Sequence, residues 1–236
     1  MNLPLLNKII TSEDSVLSLI KSGEKDLLIT YINQHCFNIS KSDSEYLNLL
    51  CEKFTIYSDG VGIYFALKYL QFHPLHKFNA SDLNQKVFNY FILTHTPLYF
   101  LGGHFIKTNL LNQMTKKGLN VVGYSNGFSD TANIETLFEG ISKSGAEFIL
   151  IGISVPKQEK IAYKLASRLP GKSFLCVGNF LEFYLGTQKR APLFLRNSGF
   201  EWLFRLVTEP QRLWKRYIIG IPIFILRVLN IRHPDN

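Results

Sequence analysis

Apolar residues gather in five short runs along the chain: "DLLITYIN" (26–33), "PLYFLGG" (97–103), "LNVVGYS" (119–125), "EFILIGIS" (147–154) and "KSFLCVG" (172–178). Near-continuous apolar character over so few residues is the pattern of strands buried on both faces of a parallel sheet. Between the runs, apolar positions recur at helical spacing near 13–21, 43–53, 61–71, 105–117, 130–143 and 156–168, several opened by a Ser or Asp suited to an N-cap. The alternation predicts an α/β fold: a Rossmann-like, doubly wound, mainly parallel sheet with helices on both faces. Ligands of such sheets lie beyond the carboxyl ends of the strands, where glycines admit a close backbone and helix N-termini attract anions. Four strand exits carry glycine: Asp59-Gly60-Val61-Gly62, Leu101-Gly102-Gly103, Gly123 to Gly127, and Val177-Gly178-Asn179.

After about residue 190 the pattern changes. At about 100° per residue, Trp214, Tyr217, Ile218, Ile221, Ile225 and Val228 fall on one apolar stripe, with Arg212, Lys215 and Arg216 elsewhere on the helix. Pro210 suits a first turn, and Pro222 is expected to kink the helix. The apolar stretch from Tyr217 to Leu226 is shorter than the roughly 20 residues a bilayer span takes, and it suits an interfacial helix. The expected organisation is an α/β core over 1–195 and a basic, amphipathic, membrane-binding helical appendage over 196–236.

Charge sharpens that division. Of the net +8, the segment 189–236 holds nine basic residues against three acidic ones, a net +6. A concentration of this kind points to an anionic partner. One candidate is an anionic membrane surface; the other is nucleic acid, whose bases Trp202, Phe204, Trp214 and Tyr217 would stack. The apolar stripe favours lipid, so no nucleic acid is expected. Composition adds little more: 236 residues at 46% hydrophobic and 14% aromatic are enough for one generous folded domain and exclude a disordered chain. Cys36, Cys51 and Cys176 show neither disulfide nor zinc spacing, the six histidines show no ligand spacing, and "MNLPLLNKII" lacks the features of a secretory signal. The expectation is a cytosolic protein with no metal site.

Chemistry is best focused at "YSDGVGIY" (57–64). The Walker pattern is absent, and the dinucleotide fingerprint fails because Phe65 stands where its third glycine belongs. That argues against a phosphate loop and against a nucleotide-dependent oxidoreductase. An aspartate at a strand exit, with glycines clearing space for a ligand, suits a general base acting on a hydroxyl. Asp59 equally suits the N-cap of the helix that follows. By themselves the residues leave both roles open.

The segments "SDGVGIYFALKYL", "LYFLGG", "LNVVGYSNGF", "LIGISVPKQEKIAYK", "CVGNFLEFYLGTQKRAP" and "GFEWLFRLVTEPQRLWKRY" follow one another along the chain. In them, over roughly residues 25–220, the chain resembles the WecG/TagA/CpsF family of bacterial glycosyltransferases, most specifically in P-K-Q-E and in the last block. The resemblance implies an inverting, metal-independent transferase without a cofactor, similar to N-acetylmannosaminyltransferases. Its donor would be a UDP-sugar carrying N-acetylmannosamine, its uronic acid or a related hexose. Its acceptor would be a polyprenyl-diphosphate-linked sugar, used for teichoic acid linkage units, enterobacterial common antigen or exopolysaccharide. The enzyme would sit peripherally on the inner face of the cell membrane, and a homo-oligomer is allowed.

The resemblance also implies roles for individual residues. Asp59 would be the base, and Thr30 and Asn33 would line the pocket at the strand end. Gln158 would bind near the donor sugar, with Lys157 and Glu159 left as surface charges. Independently of the resemblance, Gly102, Gly103 and Gly178 at strand exits suit close backbone approach to a nucleotide diphosphate, and equally suit tight turns; the resemblance has Lys77 taking the place of a family arginine in "KFNASDL", where Ala80 replaces a glycine. Arg205, Arg212 and Lys215 would close over the diphosphate, with Arg216 competing for the slot that Lys215 fills. The rival reading is a basic, peripheral nucleic-acid- or membrane-binding module without catalysis.

Overall fold

The computed structural model describes residues 3–231 apart from 73, 75, 76, 78, 104 and 128–132. Residues 130–132 of the expected helix 130–143, and 232–236 of the expected tail, therefore lie outside the described residues. The strands are β1 (Ile9–Ile10), β2 (Leu28–Ile32), β3 (Thr55–Ser58), β4 (Leu98–Gly102), β5 (Val121–Ser125), β6 (Phe148–Gly152) and β7 (Ser173–Cys176). The α-helices are α1 (Leu3–Asn7), α2 (Glu13–Lys21), α3 (Gln34–Ser40), α4 (Ser44–Glu52), α5 (Gly60–Tyr69), α6 (Ala80–Thr94), α7 (Lys107–Lys116), α8 (Ile134–Lys143) and α9 (Lys157–Ala166). They continue with α10 (Phe180–Leu185), α11 (Leu193–Ser198), α12 (Glu201–Thr208), α13 (Pro210–Trp214) and α14 (Gly220–Leu229), the last two joined by a π-helical turn at Lys215–Ile219.

The described strands form one seven-stranded sheet in the order β1-β3-β2-β7-β6-β4-β5. Each neighbouring pair is parallel. The doubly wound α/β expectation is met, because alternation of side chains fills both faces. Along β4, Tyr99 and Leu101 join one buried cluster, whereas Leu98 and Phe100 join the other. Chain order reverses about β2 and β7, so the carboxyl ends of β2, β3, β6 and β7 open onto a common crevice.

All five expected strands form, within two residues at most ends. The pattern did not announce α6, which runs for fifteen residues. Its stretch "KVFNYFILT" is apolar on more than one side, and the periodicity argument cannot separate such a run from a strand. Asn79, whose side chain accepts from the Ser81 N–H at 2.8 Å, is the capping signal that starts it.

The C-terminal stripe needs correction. Tyr217 and Val228 are buried, but Trp214, Ile218 and Ile225 are exposed, and Leu213 and Phe224 are buried in their place. The cause is the π-helical turn, whose wider winding shifts the phase of everything after it. Pro222, with no N–H to return to the preceding turn, follows directly on that break. Beyond it α14 packs on α3: Phe224 meets Phe37 edge-on at 5.3 Å and 89°, Arg227 Nη1 donates to the Asn38 carbonyl at 2.6 Å, and Asn38 Nδ2 donates to the Gly220 carbonyl at 2.7 Å.

Candidate active site

Ile32 pairs with Ser58 at the end of the β2–β3 register, so the next residue on each strand, Asn33 and Asp59, leaves the sheet beside the other. Asn33 caps α3, its Oδ1 accepting from the N–H groups of His35 and Cys36 at 3.0 and 3.1 Å. Asp59 occupies the N-cap position of α5 yet makes no side-chain cap bond. Its Oδ2 accepts instead from Asn33 Nδ2 at 3.2 Å, and its Oδ1 from the Ala80 N–H at 3.0 Å. Of the two roles the sequence left open, the capping bond is the one the structure does not contain. What remains is a part-buried carboxylate held from two sides and aimed into the crevice.

Two chambers meet at that carboxylate. One, of about 720 Å³, lies between α5 and α14. The other, of about 1050 Å³, lies over the glycine-bearing strand ends. Asn33, Asp59, Ser81, Arg205 and Arg216 line both.

The floor of the larger chamber depends on glycine. A Cβ on Gly102, whose φ is +151°, would stand 2.3 Å from the Gly152 carbonyl oxygen across the β4–β6 pair. A Cβ on Gly178, at φ +55°, would stand 2.4 Å from the Tyr31 hydroxyl. Only hydrogen fits at either place. Gly103 and Gly178 line this chamber, whereas Gly102 lies just behind it.

Cations border the junction unevenly. Arg205 and Arg216 have no carboxylate partner among the described residues, and the Nε of each is buried without an acceptor. Arg205 lies over the Phe183 ring at 5.4 Å. Arg212 is already paired, its Nε donating to Glu209 at 2.7 Å. Lys215 lines the larger chamber only, whereas Arg216 reaches both. Lys77 lines the smaller chamber and donates to the Asn197 carbonyl at 2.6 Å.

Thr30 and Gln158 come together, but beneath the chamber floor. Thr30 Oγ1 donates to Glu159 Oε1 at 2.8 Å, and Gln158 Nε2 donates to the same oxygen at 2.8 Å. All three residues are fully buried. Glu159 is therefore not the surface charge the sequence suggested. Burial pushes its carboxyl up to about 7 against the opposing pull of its hydrogen bonds. Its Oε2 and the Gln158 Oε1 have no hydrogen-bond partner among the described residues.

Several site residues escaped the sequence reading. His35, at the head of α3, lines the larger chamber, and burial together with the Arg216 charge lowers it to about 4, so it is a neutral imidazole at pH 7. Glu182 lines the same chamber; burial raises its carboxyl, with Arg212 pulling the other way. The Ala80 amide could have been found only from the Asn79 cap that starts α6. Among the described residues, no group of three or more His, Cys, Asp or Glu is placed to hold a metal ion.

A family model described as the glycosyl transferase WecG/TagA/CpsF family matches residues 7–235. The chain belongs to this family. A curated relative from Staphylococcus aureus (strain MRSA252), N-acetylglucosaminyldiphosphoundecaprenol N-acetyl-beta-D-mannosaminyltransferase, is 26% identical over 215 residues, covering 88% of this chain and 81% of the relative. The resemblance carried by the motifs is thereby confirmed as membership. In this WecG/TagA/CpsF family glycosyltransferase, two chambers are joined at one oriented carboxylate.

The C-terminal helices of this glycosyltransferase carry exposed apolar side chains. Phe194, Phe200, Val207, Trp214, Ile218 and Leu226 are all exposed. Among the described residues, no helix is long and apolar enough to cross a membrane.

Proposed function

We propose that this glycosyltransferase moves N-acetylmannosamine, its uronic acid or a related hexose from a UDP-sugar to a polyprenyl-diphosphate-linked sugar in cell-surface polysaccharide synthesis. The observation that carries this reading is the sharing of Asp59, Asn33, Arg205 and Arg216 by two chambers of different character. The relative's name, which specifies a mannosaminyl group transferred to a diphosphoundecaprenol-linked sugar, supports the choice of substrates.

In this reading the UDP-sugar occupies the larger chamber, its diphosphate against the Gly103 and Gly178 backbone. The acceptor enters from the smaller one. Asp59 takes the proton from the acceptor hydroxyl as its oxygen attacks the anomeric carbon. The bond to UDP breaks on the opposite face, the electron pair leaves on the diphosphate, and configuration inverts. Charge developing there is met by Arg205 and Arg216, with Arg212 and Lys215 at the rim, so the reading assigns neutralisation to side chains and backbone amides and calls on no metal. Neutral His35 is suited to hydrogen-bond a sugar hydroxyl without adding charge. Asn33 fixes the carboxylate that does the work.

The basic, apolar-faced tail docks the enzyme peripherally on the inner, anionic leaflet, where each cation near the surface contributes about 1 kcal/mol. The test is a panel of UDP-sugars offered with a short-chain prenyl-diphosphate-linked N-acetylglucosamine, with the product weighed by mass spectrometry and its anomeric configuration read by NMR. A disaccharide of inverted configuration is expected. No transfer from any UDP-sugar, or retention of configuration, sinks the reading.

A further inference from the structure

Asp59 stands at the N-cap position of α5 without capping it, so its orientation depends on donors from elsewhere in the chain. One is the Asn33 amide and the other is the Ala80 N–H at 3.0 Å. Ala80 opens α6, and the first N–H groups of a helix have no partner within it. That amide can serve Asp59 only if the first peptide of α6 is turned the right way. The torsion that turns it is ψ of Asn79, which is 130°. The Asn79 carbonyl points into the helix and accepts from the Asp82 and Leu83 N–H groups at 3.0 and 3.2 Å. Across the same trans peptide, the Ala80 N–H therefore points out of the helix, toward Asp59.

Asn79 is itself held by Arg190 and Glu201, which lie 111 and 122 positions further along the chain. Its Nδ2 donates to Glu201 Oε2 at 2.6 Å. Its Oδ1, which caps α6 through the Ser81 N–H, also accepts from Arg190 Nη2 at 3.3 Å. Glu201 reaches Asn79 because Gly199, at φ +86°, ends α11 and turns the chain into α12, of which Glu201 is the first residue. The Glu201 side chain is only 14% exposed, so water competes little for this bond. In the same turn of α6, Asp82 Oδ1 accepts from Arg190 Nη1 at 2.8 Å and from Arg196 Nη1 at 3.1 Å. Those two bridges already tie the segment from Arg190 to α11 onto α6. The bond from Asn79 to Glu201 acts at a different point: it fixes the one residue whose torsion aims the Ala80 N–H.

We propose that Asn79 and Glu201 are positioning residues for Asp59, Glu201 holding the Asn79 amide from α12 and Asn79 turning the Ala80 N–H onto one carboxylate oxygen. The proposal rests on the reading of Asp59 as the base. The carboxylate is then aligned from two unrelated parts of the chain, from the end of β2 through Asn33 and from α12 through Glu201, Asn79 and Ala80. Such alignment matters because a misplacement of about 1 Å at a reacting group costs up to about a hundredfold in rate.

The test is steady-state kinetics of the full chain, well below the lowest thermal midpoint, with prenyl-diphosphate-linked N-acetylglucosamine and the fastest donor of the UDP-sugar panel above. Glu201→Ala and Asn79→Asp are each expected to lower kcat about tenfold or more, with KM for either substrate within about threefold of wild type. Asn79→Asp keeps the capping oxygen but turns the donor to Glu201 into a like charge. Adding Glu201→Gln to it restores the wild-type net charge and lets the bond form with donor and acceptor exchanged. In that double variant kcat is expected to return to within about threefold of wild type. A role in folding alone moves the thermal midpoint of these variants and leaves kcat in place. Unchanged kcat in Glu201→Ala or Asn79→Asp, a loss carried by KM, or a double variant that recovers its midpoint but not its kcat overturns the proposal. Asp59→Asn, measured alongside, separates the two readings. A large loss there with none in Asn79→Asp sinks the positioning role alone, whereas no loss in Asp59→Asn sinks the base as well.

Discussion

Asn33 divides its amide between two tasks: Oδ1 caps α3 through the His35 and Cys36 N–H groups, and Nδ2 donates to Asp59 Oδ2 at 3.2 Å. One side chain therefore sets the helix cap and, together with the Ala80 N–H, the orientation of the carboxylate.

Substitutions at this pair separate the two tasks. Asp59→Asn is expected to lower kcat by about 10²- to 10⁴-fold, the usual contribution of a general base, with little change in thermal midpoint because Asp59 makes no cap bond. Asn33→Asp keeps an equally good cap but replaces the amide donor to Asp59 Oδ2 with a like charge. It is expected to lower kcat while leaving the thermal midpoint near that of wild type. An unchanged kcat means that the Asn33 amide does not position the carboxylate.

Glu159 predicts a pH-dependent stability. Its folded value of about 7 lies above the ordinary 4.5, so the folded state holds the extra proton between those limits. Stability is then fullest below about pH 4.5, falls as pH rises toward 7, and levels off above it. At roughly 1.4 kcal/mol per pH unit the loss approaches about 3 kcal/mol. Glu159→Gln keeps the shape and cannot ionise. Denaturant titrations at pH 5 and pH 8 should show the variant gaining on wild type at the higher pH; a constant difference would mean that Glu159 does not titrate in this range.

The cations should rank by how completely they are already occupied. Arg205→Ala and Arg216→Ala are each expected to raise the barrier by about 3 to 4 kcal/mol, as loss of a preorganised donor does. Arg212→Ala, whose guanidinium is paired with Glu209, and Lys215→Ala should cost less. Steady-state kcat/KM for the donor measures this; an Arg212 or Lys215 effect larger than that of Arg216 reverses the assignment.

The tail has an inner and an outer face with different consequences. Phe224→Ala removes the ring packed on Phe37 and is expected to destabilise by about 3 to 5 kcal/mol. Ile218→Asp and Leu226→Asp, on the exposed side, should leave the thermal midpoint unchanged and abolish flotation with vesicles containing anionic lipid. Flotation that survives both substitutions places the membrane contact elsewhere.

Much of this was legible in the chain as a string. Alternating apolar runs and helical spacings determined the doubly wound sheet, because burial on both faces forces near-continuous apolar strands. The glycines at strand exits and Asp59 between its neighbours marked the crevice, since their chemistry is local. Tertiary structure decided the rest. Asp59 read equally as a cap until β2 and β3 came into register and brought Asn33 beside it, where its carboxylate is bound instead of capping α5. Glu159 read as surface because consecutive helix residues point about 100° apart, and both it and Gln158 are buried only because α9 packs against β2, β6 and β7 as well as α4 and α8. The two chambers join α5 to α14 across most of the chain's length, and no local pattern encodes which distant faces will meet.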